Sequence, residues 1–207
     1  MTTDTPDDTS SILRVALIDV TPDAVDEFSD WFDNQQVDTG QCQLARRYVC
    51  STEPHLSLVV YTSATDRPPV VPTEFRSPFG RRHIRSYFSD TFERTSSHGV
   101  IGRAPRFLNA IITQTTAEGA APFDEWYRLV HVPEILECPG WLGSQRFRSS
   151  TSATRFLAMY DLSDLTTPFS TPEYENAVGW DDHDEALLGY HGFRTYELVS
   201  AWPTAQD

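Results

Sequence analysis

One ten-residue pattern is written twice in this chain. Phe28 to Val37, FSDWFDNQQV, lies over Phe123 to Val132, FDEWYRLVHV, at a single offset, since 123 − 28, 126 − 31 and 132 − 37 all equal 95. Each copy sets three aromatic residues at helical spacing, Phe28, Trp31 and Phe32 in the first and Phe123, Trp126 and Tyr127 in the second. The chain therefore reads as one folding unit repeated, and the second copy carries His131 where the first carries Gln36.

The segments around the repeat fall in the same order in both halves. Leu13 to Val20 alternates in period two and predicts a strand, with Leu13, Val15 and Leu17 on the side expected to meet the helices and Arg14, Ala16 and Ile18 on the other. Thr21 and Pro22 start a helix that should end near Gln36. Leu44 to Cys50 and His55 to Thr62 predict a hairpin, followed by a helix between Glu74 and Phe88 and a short strand between Thr91 and Ile101. The second half predicts a strand over Arg106 to Gln114 and a helix over Ala121 to Val130. A hairpin of Ser144 to Ser149 with Arg155 to Leu162 follows, then helix at Thr171 to Ala177 and Glu185 to Leu188, and a last strand over Phe193 to Trp202. In the hairpins Arg146-Phe147 answer Arg47-Tyr48 and Met159-Tyr160 answer Val60-Tyr61, because the intervening loop is longer in the second half.

Each half is thus strand, helix, strand, strand, helix, strand, which makes a four-stranded antiparallel sheet with helices on one face. Two such sheets in one chain cover each other's bare faces. The expected fold is α+β, two fused units over 12–102 and 106–202 behind a disordered tail over 1–11, their sheets face to face in an intramolecular, pseudo-twofold α/β barrel with an interior able to hold a ligand. Because the pairing is internal, the protein is expected as a monomer or a homodimer.

Charge and composition exclude several functions. The net charge is −14, and all 16 basic residues are arginine, so phosphate backbones would be repelled and nucleic acid is not an expected partner. No apolar run approaches the roughly 18 residues of a membrane helix. The scattered Cys42, Cys50 and Cys138 read as free thiols of a reducing cytoplasm. No dinucleotide fingerprint, phosphate loop, nucleophile elbow or zinc-protease motif occurs, and His183 among Asp181, Asp182 and Asp184 has no second histidine at ligand spacing, so neither metal nor organic cofactor is expected.

The combination of Trp126-Tyr127, His131, Pro133, Pro139-Gly140-Trp141, Arg146-Phe147, Met159-Tyr160-Asp161 and the segment Thr171 to Tyr174 resembles the EthD-like branch of the dimeric α/β-barrel superfamily, whose units are ferredoxin-like. The resemblance covers most of 106–200 and echoes weakly over 12–102. Similar barrels include cofactor-free monooxygenases, cyclases, dehydratases, isomerases, decarboxylases and haem enzymes, so it implies the fold and leaves the reaction open.

His131 is the foremost catalytic candidate. It lies one turn beyond Tyr127, and Pro133 is expected to break the helix and leave the imidazole at a helix C-terminus, where it can serve as acid or base. Tyr127 and Asn109 are candidate hydrogen-bond donors to a developing oxyanion. Arg14 and Asn109, at matching strand positions, are expected to point into the barrel with Tyr61 and Tyr160. Trp126 reads mainly as core, and His191 and Arg194 as rim residues near the start of the last strand. The expected activity is that of a cofactor-independent acid/base enzyme, a cyclase, isomerase or dehydratase, on a small apolar carbonyl- or phenol-bearing metabolite. The alternatives are a cofactor-free monooxygenase or a non-catalytic small-molecule-binding barrel. A haem enzyme would need an axial histidine facing an open cavity.

Overall fold

The computed structural model describes residues 12–34, 42–63, 83–102, 104–177 and 186–202. The strands are β1 (Ile12–Val20), β2 (Cys42–Cys50), β3 (Leu56–Ser63), β4 (Ile84–Gly99), β5 (Phe107–Thr115), β6 (Trp141–Ser149), β7 (Arg155–Leu162) and β8 (Leu187–Trp202). The helices are α1 (Val25–Asn34), α2 (Ala120–Trp126), α3 (Val132–Glu137) and α4 (Pro172–Ala177), with a π-helical turn, Tyr127–His131, joining α2 to α3. No described helix is long and apolar enough to cross a membrane.

The strands close into one antiparallel barrel in the order β1-β3-β2-β8-β5-β7-β6-β4, with β4 returning to β1. The pairing pattern is the same in both halves. β1 lies between β3 and β4 as β5 lies between β7 and β8, and the two sixteen-residue strands each reach across the halves, β4 to β6 and β8 to β2. The expected intramolecular barrel is present, but its two sheets are not simply stacked face to face. The structure joins them edge to edge instead, because strands of this length run past their own sheet and satisfy the backbone groups that an open edge would leave unpaired.

The faces of the strands are inverted relative to the sequence expectation. Leu13 and Val15 point into the barrel, where they pack with Tyr48, Leu58, Phe92, Leu108 and other interior side chains. Ala16, Ile18 and Val20 lie outside against Phe28 and Phe32 of α1. Both faces of a barrel strand covered by helices are buried, so alternation cannot say which is inner. Arg14, Asn109, Tyr61 and Tyr160 accordingly face outward, toward the helices.

Other expectations are corrected as well. Residues 84–88, assigned to a helix, are the start of β4, and 74–82 lie outside the described residues. The strand expected over Thr91 to Ile101 is the longer Ile84–Gly99, whose serines and threonines gave no apolar pattern. Leu187 and Leu188 belong to β8 rather than to a helix. The tail over 1–11, Gln36 and the acidic loop with His183 also lie outside the described residues. Cys50 and Cys138 are buried free thiols.

The barrel interior is filled rather than open. Its apolar packing ends in polar groups, among them Asp161, which accepts a hydrogen bond from the Gly102 N–H at 2.6 Å. Burial raises its pKa from 3.8 to about 6, against the lowering influence of that hydrogen bond and of Arg46. The folded state thus holds a proton that the unfolded chain releases near 3.8. This contribution to stability is present below about pH 4 and is lost as the pH rises through about 6. Asp161→Asn keeps a carbonyl for Gly102 and removes the buried charge. It should raise stability at pH 7 by on the order of 2 kcal/mol and flatten the pH dependence between 4 and 6, as read from urea unfolding at both ends of that window.

Candidate active site

The aromatic triplets of the two repeats adopt nearly the same geometry. Phe28, Trp31 and Phe32 have ring centroids 5.9, 5.6 and 6.1 Å apart, and Phe123, Trp126 and Tyr127 have 5.9, 5.6 and 6.0 Å. Beneath each triplet a buried arginine from the strand pairs with a helix carboxylate. Arg47 meets Asp33 at 2.9 Å, and the Arg146 Nε–H donates to Asp124 at 2.8 Å. The guanidinium of Arg146 also lies 3.8 Å from the centroid of the Tyr127 ring.

Pro133 does not break the helix as expected. The turn widens by one residue, so the Val132 N–H donates to the Tyr127 carbonyl, and Pro133 falls in the first turn of α3, where its missing N–H costs nothing. His131 therefore sits within a continuous helical rod, not at a C-terminus, and the helix-end argument for its protonation does not apply. The widened turn folds the imidazole back over its own helix. It stacks on Trp126 with centroids 5.1 Å apart and lies 4.7 Å from Tyr127, leaving the residue 3% exposed. An axial haem ligand needs an accessible ring nitrogen, whereas His131 is buried between these two rings.

On the sheet below, cross-strand neighbours place Thr195, Asn109, Tyr160, Ser144 and His98 in one row across β8, β5, β7, β6 and β4. The Tyr160 hydroxyl donates to the Tyr127 hydroxyl at 2.9 Å, tying row to helix. Burial raises the pKa of Tyr127, opposed by Arg146 and the hydrogen bond it receives. Tyr160 is pushed well above its ordinary value, by burial first and by Tyr127 in addition. Both phenols remain protonated at neutral pH. Trp141 forms the adjoining wall, perpendicular to Tyr160 at 5.0 Å and held by its indole N–H to the Pro168 carbonyl at 2.9 Å. The wall depends on the turn before it, since Gly140 has φ +89° and a Cβ there would meet Pro168 Cγ at 2.9 Å.

Asn109 is fully buried. Its Nδ2 donates to the Arg194 carbonyl at 3.2 Å, whereas its Oδ1 has no hydrogen-bond partner among the described residues. It borders an open surface depression of about 200 Å³ with Thr52, Phe169, Arg194 and Thr195. A cavity of about 320 Å³ opens at a barrel mouth between Leu17, Leu56, Phe88 and Tyr196, with Arg194 at its rim.

The structure thus brings together Asn109, Trp126, Tyr127, His131 and Tyr160 in the layer between helix and sheet. Arg14 and Tyr61 are cross-strand neighbours in the matching row of the first half, with Arg14 Nη2 donating to the Ser89 hydroxyl at 3.4 Å. Arg194 belongs to the barrel mouth, where its Nε–H donates to Glu53 at 3.0 Å. His191 pairs with Ile112 along the β5–β8 ladder, and its side chain is not among those described. Sequence reasoning missed Asp124, Ser144, Arg146 as a buried cation, and His98. The aligned Arg47 and Arg146 were a usable signal, but His98 joins the row only through the β4–β6 pairing between halves, which no local pattern announces.

No family model matches the sequence, and a search of curated proteins finds no match. Solved structures do match along nearly the whole chain. An anthrone oxidase-like protein superposes with a TM-score of 0.69 at 13% identity, over 96% of each chain. A candidate monooxygenase of Fusobacterium nucleatum gives 0.60 at 9% identity, over 92% of this chain and 93% of that one. A major regulator of staphylococcal pathogenesis gives 0.55 at 10%, over 90% and 99%. These likenesses establish the fold, an α+β eight-stranded closed antiparallel barrel. At such identities they leave the chemistry to the residues of this chain.

Proposed function

We propose that this protein is a cofactor-independent enzyme that takes a proton from a small, apolar, carbonyl- or phenol-bearing molecule held between the sheet of the second half and its helix. The observation that carries the reading is Asn109, a fully buried amide whose carbonyl has no donor among the described residues and which borders an open depression. A buried acceptor of this kind calls for a hydroxyl or N–H on whatever enters, such as the enol tautomer of a ketone. His131 is the acid/base group, and the neutral phenols of Tyr127 and Tyr160 supply hydrogen bonds to oxygen as charge develops there. Preorganised donors of that type are worth roughly 3–4 kcal/mol each in other enzymes.

Two outcomes share this proton abstraction. The carbanion can rearrange or eliminate, giving cyclase, isomerase or dehydratase chemistry. It can also react with oxygen, giving monooxygenation, and the neighbours described as candidate monooxygenases and as anthrone oxidase-like favour this second course. We read the chain as a tandem duplication of EthD-like units over 12–102 and 106–202, with the second half as the active one. The 95-residue repeat and the matching aromatic triplets support that division.

Anthrone tests the reading in two arms. Under argon in D₂O, deuterium exchange of its methylene protons should be accelerated by the protein. In air, loss of a proton, addition of O₂ and departure of water should convert the methylene to the second carbonyl of anthraquinone, with matching oxygen uptake. Exchange without uptake selects the non-oxidative course. Exchange no faster than in protein-free buffer would sink the reading for this substrate class.

A further inference from the structure

The two buried arginines differ in what they leave unmet. In the first half every polar end around Arg47 is used: Nε and Nη2 donate to Asp33, Nη1 to the Ser29 hydroxyl at 3.4 Å, and the Ser200 hydroxyl donates to Asp33 at 2.8 Å. Asp33 is the centre of that arrangement. In the second half, Asp124 stands at the position matching Ser29 and takes only the Arg146 Nε–H and, at 3.4 Å, Arg148 Nη2. The position matching Asp33 is Arg128, by the same offset of 128 − 33 = 95. A cation has replaced the central carboxylate.

The consequence is visible beneath it. Arg146 is 1% exposed, yet its Nη1 and Nη2 have no hydrogen-bond partner among the described residues. Ser96, which pairs with Arg146 across β4–β6 as Ser200 pairs with Arg47, has a buried hydroxyl likewise unmet, and so does Nε2 of His98 two residues on. Guanidinium nitrogens only donate, so this patch holds an excess of donors around a buried positive charge. Leaving it unsatisfied would cost more than any one of its hydrogen bonds gains. Ser96 and His98 are half-buried, although the unmet polar atoms themselves are covered.

We propose that Ser96, His98 and Arg146 form a binding site for a carboxylate of the ligand, which takes the place that Asp33 fills in the first half. The site lies under the Tyr127 ring and one strand from Tyr160, so it gives the small apolar molecule of the preceding section an acidic group. It rests on that reading for the identity of the ligand as substrate, but not for the binding itself.

Binding of benzoate and of its neutral isostere benzamide, followed by calorimetry and by shifts of the Arg146 Nε–H resonance, tests the proposal without turnover. Benzoate should bind at least tenfold more tightly than benzamide. Arg128→Asp restores an internal carboxylate and should abolish benzoate binding while the protein stays folded. Ser96→Ala combined with His98→Leu should weaken it tenfold or more. Equal affinity for the two probes, or no binding of either because water alone meets these atoms, would overturn the proposal. So would benzoate binding undiminished in Arg128→Asp. Failure of anthrone exchange with benzoate binding intact would remove the proposed reaction and leave the carboxylate site standing.

Discussion

Asp124→Ala is expected to lower the unfolding free energy by about 3–5 kcal/mol, the largest stability loss foreseen for any single exchange in this protein. Asp124 is buried and is the only carboxylate paired with Arg146 among the described residues. Without it the guanidinium keeps only ring faces, those of Phe123, Tyr127 and Phe156 at 5.5, 3.8 and 4.8 Å. Cation–π contact returns about 2 kcal/mol when desolvated, which does not offset an unpaired buried charge. The loss is one of pairing and not of packing, so adding Arg146→Met to Asp124→Ala should recover most of it. Urea unfolding of the two single variants and the double gives the coupling directly. A single-variant cost below about 1 kcal/mol would mean that water reaches the guanidinium.

His131→Gln is expected to slow anthrone deuterium exchange by about a hundredfold or more, with little change in the urea midpoint. Glutamine occupies the matching position of the first copy in the sequence. It keeps a polar group between Trp126 and Tyr127 but cannot take up a proton near neutral pH. An unchanged exchange rate would assign the ring to packing against Trp126, and the base would have to be sought elsewhere in the row, at His98 first.

Most strands were legible because each has its own apolar pattern. What failed had specific causes. Leu13 and Ile18 are equally apolar, since one faces the interior and the other a helix, and nothing in the alternation ranks the two faces. β4 carries Ser86, Ser89, Thr91, Ser96 and Ser97, a composition without an apolar face, because much of its length pairs between halves rather than covering a core. Pro133 signals a stop in any isolated helix, and only the packing of α2 and α3 on one sheet explains why the chain widened a turn instead. The helix side of the candidate site, Tyr127 and His131, could be named from one local pattern. Its sheet side, from Asn109 to His98, is assembled from strands far apart in sequence.

The two long strands also set a timetable. β4 finds its partner β6 only after Ser149 has left the ribosome, and β2 waits for β8, which supplies Tyr196 to Trp202. Until then the first half carries two strand edges with bare amides and carbonyls, open to pairing with another copy of itself. The acidic charge of the chain opposes such encounters during synthesis.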